Sequence, residues 1–122
     1  MSELRIDPLA VGDLKVVLEE GALRLVGSAD IKEPKRLGEV LRQLHGELLR
    51  TSTKEIAVDF RRLEFMNSSC FKEFVTWLAG LEDLDPSERY QIRLLSDTSK
   101  HWQKRSLEAL RCFATDLVRI EN

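Results

Sequence analysis

Between Lys54 and Leu81 the hydrophobic period of the chain changes once, and that change restricts the fold more than any other feature. Ile56, Val58 and Phe60 alternate around small Ala57, the pattern of a strand near the middle of a sheet. Further on, Phe71, Phe74, Val75, Leu78 and Ala79 stand at i, i+3, i+4, i+7 and i+8, which is helical spacing. Between the two lies Phe65-Met66-Asn67-Ser68-Ser69-Cys70. A strand that runs through Asn-Ser-Ser into a helix predicts a helix N-terminus with exposed hydroxyls. Asn and Ser suit that place because their side-chain oxygens accept the orphan N–H groups of the first turn. The same end holds the positive pole of the helix dipole and tolerates a phosphate or carboxylate.

The flanking sequence supplies the rest of a sheet and its helices. Leu14 to Leu18 reads as a strand, Glu20-Gly21 as a turn, and Leu23, Leu25 and Gly27 as the returning strand of a hairpin. Residues 1–12 are weakly patterned, a loose lead-in or a short edge strand. Pro34 suits a first helical turn, and Leu37, Val40, Leu41, Leu44 and Leu48 keep one apolar stripe to about Arg50. Lys35, Arg36, Glu39, Arg42 and Gln43 occupy the opposite face. Tyr90 to Leu95 is a further strand, a third helix runs through Trp102, Leu107, Leu110 and Phe113, and Leu117 to Ile120 closes as a strand. The expected fold class is α/β: a mixed sheet of about five strands with three main helices, in the order β-β-α-β-α-β-α-β.

This pattern resembles the STAS domain, shared by bacterial anti-sigma-factor antagonists and the cytoplasmic tails of sulfate transporters. Those domains place a loop of the type Phe-Met-Asp-Ser-Ser-Gly between a central strand and the next helix, and a partner kinase phosphorylates its first Ser. By that resemblance the acceptor is Ser68, and Asp30 matches the acid closing a Gly-x-x-Asp loop, here Gly27-Ser28-Ala29-Asp30. The element order extends the likeness over nearly the whole chain. Asn67 stands where the family has Asp, Cys70 where it has Gly, and Phe71-Lys72 where it has Leu-Gly.

Composition excludes several other classes. The chain has 122 residues, fitting one domain over 1–122, with 43% hydrophobic and 33% charged residues. Nineteen Lys and Arg against 21 Asp and Glu give a net charge of -2, too near neutral for nucleic-acid or membrane-surface binding by bulk charge. No apolar run approaches the roughly 20 residues of a membrane span, and Met1 to Arg5 lack a signal-peptide core. Cys70 and Cys112 form no Cys-x-x-Cys pair, which fits a reducing cytoplasmic setting. Two His and two Cys, scattered, offer no metal-ligand spacing, and no glycine-rich phosphate loop occurs, so neither metal nor cofactor is expected.

Each remaining polar residue also has a plain reading. Ser68 alone would be a capping residue worth about 1 kcal/mol; the element order and the Phe-Met-Asn-Ser-Ser string favour the acceptor role. Lys72, one turn on, reads first as a solvated lysine, though it lies on the face where it would pair with a phosphate. A Ser68 hydrolase lacks a Gly-x-Ser-x-Gly elbow, and His45 and His101 read as surface histidines. Cys70 reads as small buried filler. Trp77 falls off the apolar stripe and reads equally as an exposed partner anchor or a cover for the end of the sheet. Lys100, Lys104, Arg105 and Arg111 give the third helix a basic side, by default solvated.

The resemblance thus implies a non-enzymatic bacterial regulator that switches partners. Asp30, Asn67, Ser68, Ser69 and Lys72 would form the docking surface, Ser68 would be phosphorylated, and the partners would be a serine kinase of the anti-sigma-factor type and a phosphatase. The alternative is an adaptor of the same fold inside a signalling assembly, without phosphorylation.

Overall fold

In a computed structural model, which describes residues 4–122, three strands are followed by three alternating helix–strand pairs. The absence of a signal-peptide core was read partly from residues 1–3, which lie outside the described residues. The strands are β1 (Leu9–Val11), β2 (Leu14–Glu19), β3 (Ala22–Ala29), β4 (Glu55–Met66), β5 (Gln91–Leu95) and β6 (Val118–Glu121). The helices are α1 (Lys35–Arg50), α2 (Ser68–Glu82) and α3 (His101–Arg111). They form one six-stranded sheet in sequence order, antiparallel through β3 and parallel from β3 to β6. The sixth strand is β1, the edge-strand option for the lead-in.

Parallel neighbours need crossovers, and right-handed crossovers in an unreversed strand order put all three helices on one face. The burial pattern agrees: Leu14, Val16, Leu23, Leu25, Ile56, Val58 and Phe60 are buried beneath the helices. The other face holds charged rows. On it Asp59 is buried against Arg61, at 2.9 Å, with Arg24 at 3.9 Å. The hydrogen bonds from Arg61, with the charges of Arg61 and Arg24, hold the Asp59 carboxyl below its ordinary range despite burial.

The stripe of α1 is buried as its spacing predicts, from Leu37 to Leu48. The α2 stripe is rotated from the predicted one. Its buried residues are Cys70, Phe74, Trp77, Leu78 and Leu81, whereas Phe71 and Val75 are half-buried and Ala79 is exposed. The cause is that α2 packs both on the sheet, Phe74 lying against Phe60 of β4, and on α1, so its covered arc turns towards its neighbour. Trp77 is therefore not an exposed anchor. Phe113 also departs from expectation: α3 ends at Arg111, and Phe113, beyond that end, is 53% exposed.

β4 is the long central strand. It pairs with β3 through its last residue, Met66, but with β5 only over Glu55–Asp59, so Phe60 to Met66 overhang β5. Gln103 of α3 fills the gap. Its side chain is fully buried, and its Nε2 donates to the carbonyls of Phe60, at 2.5 Å, and Leu63, at 3.1 Å. Its Oε1 accepts from the backbone N–H of Asp97, at 2.8 Å. Sequence reading passed over Gln103 because a lone Gln within a helical pattern has no periodic signature.

Candidate partner-docking and phospho-acceptor site

The overhang of β4 delivers the chain directly into α2. Met66 is the last strand residue, Asn67 is the N-cap in extended conformation, and Ser68 and Ser69 are the first two helical residues. The Asn67 backbone N–H donates to the carbonyl of Ala29 at the end of β3, at 2.9 Å, so the turn is tied to the neighbouring strand. Its Oδ1 accepts from the N–H of Cys70, at 2.8 Å, and its Nδ2 donates to Oδ1 of Asp30, at 2.9 Å. One side chain thus caps the helix and fixes Asp30 beside it. An ionised aspartate here could still cap the helix but would have no proton to donate to Asp30.

Ser68 and Ser69 are exposed, and so are Asp30 and Lys72. With the Cys70 N–H taken by the cap, the N–H groups of Ser68 and Ser69 have no acceptor within the helix. No acidic residue stands in the first turn of α2 to offset the dipole. Lys72 follows Ser68 by one turn and, among the described residues, makes no ion pair. The predicted site residues Asp30, Asn67, Ser68, Ser69 and Lys72 therefore gather at one end of the molecule. One detail differs from expectation: Gly27, Ser28 and Ala29 belong to β3 and only Asp30 lies past its end, so the expected Gly-x-x-Asp loop is mostly strand. Pairing with β4, which runs on to Met66, holds these residues in the sheet, with a register shift between Gly27 and Ser28.

Cys70 is fully buried beneath the site. Burial first, then the negative charges of Asp30 and Glu73, push its thiol above the ordinary value, although a backbone hydrogen bond at Ile31 opposes this. It is a packed, protonated thiol. Phe65, opposite Ser28 on β3, is 46% exposed next to the site. Sequence reading quoted Phe65 as part of a motif and gave it no role; an aromatic two residues before a polar cap was the available signal.

Neither histidine hydrogen-bonds Ser68. His45 is not a surface residue but half-buried between α1 and α2, with Nδ1 2.6 Å from the Tyr90 hydroxyl. His101 is exposed at the start of α3. Among the described residues no group of His, Cys, Asp and Glu is arranged to hold a metal, and no helix is long and apolar enough to cross a membrane.

The architecture can be compared with solved structures. A crystal structure of an anti-sigma factor antagonist from Mycobacterium paratuberculosis superposes with a TM-score of 0.54, covering 94% of this chain and 86% of that one at 16% identity. The chain has the anti-sigma-factor-antagonist fold. No protein-family model matches the sequence, and comparison with curated proteins finds no match. Within this STAS-like fold the β4–α2 turn is the point where a polar, exposed helix start meets the end of the central parallel strands.

The cap gives the first test. Asn67→Ala removes both side-chain hydrogen bonds and is expected to lower stability by about 1 kcal/mol, within the usual range for a lost N-cap. Chemical denaturation measures that loss. A change below about 0.3 kcal/mol would mean that the Asn67–Asp30–Cys70 arrangement does not hold the turn.

Proposed function

We propose that this chain is a non-enzymatic, cytoplasmic bacterial signalling regulator of the anti-sigma-factor antagonist type, which switches partners through phosphorylation of Ser68. What supports this reading is one arrangement: the Ser68 hydroxyl is exposed at the first position of α2, held there by the Asn67 cap and flanked by Asp30, Ser69 and Lys72. With Ser68 unmodified, this surface docks a serine kinase of the anti-sigma-factor type. Phosphorylation adds about -1.5 to -2 charges there. Within the free chain the N–H groups of the first turn and the helix dipole stabilise that charge. Within a complex the same charge must be desolvated against the partner, and binding weakens. A phosphatase restores it.

The experiment compares Ser68→Ala and Ser68→Asp by calorimetric titration with the cognate kinase. Ser68→Ala is expected to bind within a few-fold of the native chain, and Ser68→Asp about a hundredfold more weakly, a difference of about 2.7 kcal/mol. Equal affinities would remove the switch. The adaptor alternative has less to stand on, because Trp77 is buried and the basic side of α3 is partly neutralised. Arg111 pairs with Glu108 at 2.8 Å and Lys100 with Asp97 at 2.9 Å.

A further inference from the structure

A second feature lies at the seam of α1 and α2 and plays no part in the Ser68 arrangement. The hydroxyl of Tyr90, a residue only 1% exposed, sits 2.6 Å from Trp77 Nε1 of α2 and 2.6 Å from His45 Nδ1 of α1. Hydrogen-bond accounting fixes the roles. An indole N–H only donates, so the phenol oxygen accepts from Trp77. The single phenol proton is then free to go to His45 Nδ1, which must be an unprotonated acceptor with the ring proton on Nε2. The indole N–H, the phenol group and His45 Nδ1 are all paired in this state alone.

A proton on Nδ1 reverses the second bond. The imidazolium must donate, the phenol oxygen then accepts from both sides, and the phenol proton has no acceptor among the described residues. A buried donor is orphaned, and a charge is placed between two helices. Beside His45 lies a cavity of about 220 Å³ between α1 and α2. The ionisable groups lining it are Arg42 from α1 and Glu73 from α2, and Tyr90 reaches His45 from the entry to β5. Among the described residues neither Arg42 nor Glu73 forms an ion pair with His45.

We propose that His45, Tyr90 and Trp77 form a proton-operated latch joining α1, α2 and the start of β5, closed while the imidazole is neutral and opened when Nδ1 takes a proton from solvent. The latch stands independently of the phosphorylation reading. Burial of the ring lowers the His45 pKa from its ordinary 6.5, and this fixes the direction of the pH effect. Above 6.5 the ring is neutral in folded and unfolded chains alike. As pH falls below 6.5 the unfolded chain takes the proton first, so stability is lost progressively until the lowered folded value is passed.

The test is a titration of the full chain by NMR, following the His45 ring and the Trp77 indole N–H together. Both signals are expected to move with one midpoint below 6.5, and Tyr90→Phe is expected to raise the His45 midpoint and uncouple the indole signal. In parallel, the folded-to-unfolded ratio of the native chain should fall by up to about tenfold per pH unit within that window. His45→Gln, which does not titrate, should lack this slope. A His45 midpoint at or above 6.5, an indole signal that ignores the titration, or an unchanged slope in His45→Gln would overturn the latch. Should His45→Gln fail to fold, the titration of the native chain decides alone.

Discussion

Gln103→Leu is expected to destabilise the protein by about 3–6 kcal/mol, because one amide hydrogen-bonds three backbone groups. The Phe60 and Leu63 carbonyls belong to the part of β4 that overhangs β5, and the Asp97 N–H belongs to the connection into α3. Leucine roughly keeps the volume of the fully buried side chain but takes its partner from two buried carbonyls and one part-buried N–H. Each orphaned group costs about 1–3 kcal/mol, a large share of the 5–15 kcal/mol typical of a native domain. Gln103→Glu separates the two halves of the effect: its carboxylate still accepts from Asp97 but has nothing to donate to the carbonyls. Urea unfolding of both variants checks this. A loss under 1 kcal/mol in Gln103→Leu would mean that water takes over the amide's bonds.

Gly27→Ala is expected to cost about 3 kcal/mol or more, for a steric reason that composition does not reveal. Gly27 has φ +97, and a Cβ built there would lie 1.8 Å from the backbone oxygen of Asp13. The carbonyl of the β1–β2 turn rests directly over β3, so either the turn or the strand must move. Backbone strain of about 1–3 kcal/mol adds to an overpacking penalty of similar size. Gly21 provides the control. Its φ is +77 but nothing lies within 4 Å of a Cβ, so Gly21→Ala should show the conformational cost alone, about 1 kcal/mol. Thermal unfolding of the pair measures the difference, and equal losses would show that the Asp13 contact relaxes freely.

The two variants also bear on the candidate site, because Gly27 and Gln103 flank the same stretch of β4. Gly27 pairs with Leu63 from one side, and Gln103 bonds the Leu63 carbonyl from the other. Met66, three residues on, hands over to Asn67 and Ser68. The exposed hydroxyl is thus presented by a strand held on both edges, although one of those edges lacks a neighbouring strand.

Much of this was legible in the residues. Alternation at Ile56, Val58 and Phe60 placed the central strand, and the five-residue stripe from Leu37 to Leu48 placed α1. These patterns are repeated over several turns, so local chemistry and burial agree. The Asn-Ser-Ser string between two periods marked the helix start, since capping is a local property of the first turn. What failed was set by neighbours distant in sequence. The buried arc of α2 turned towards Cys70 and Trp77 because α1 packs on it, and a helix's own spacing does not say how many partners it has.

The sequence by itself placed β2 to β6, the three helices and the strand-to-helix handover at Asn67 and Ser68, because period and capping act within a few residues, whereas the grouping of Asp30, Asn67, Ser68, Ser69 and Lys72 as a docking surface came from the likeness to the STAS domain. Only the tertiary structure decided that Asn67 reaches Asp30, that Gln103 closes the overhang of β4, and that His45, Tyr90 and Trp77 share one hydroxyl. Each of these joins residues 13 to 45 positions apart. A hydrogen bond of that kind has no period along the chain, and it exists only once the sheet and helices have brought its ends together.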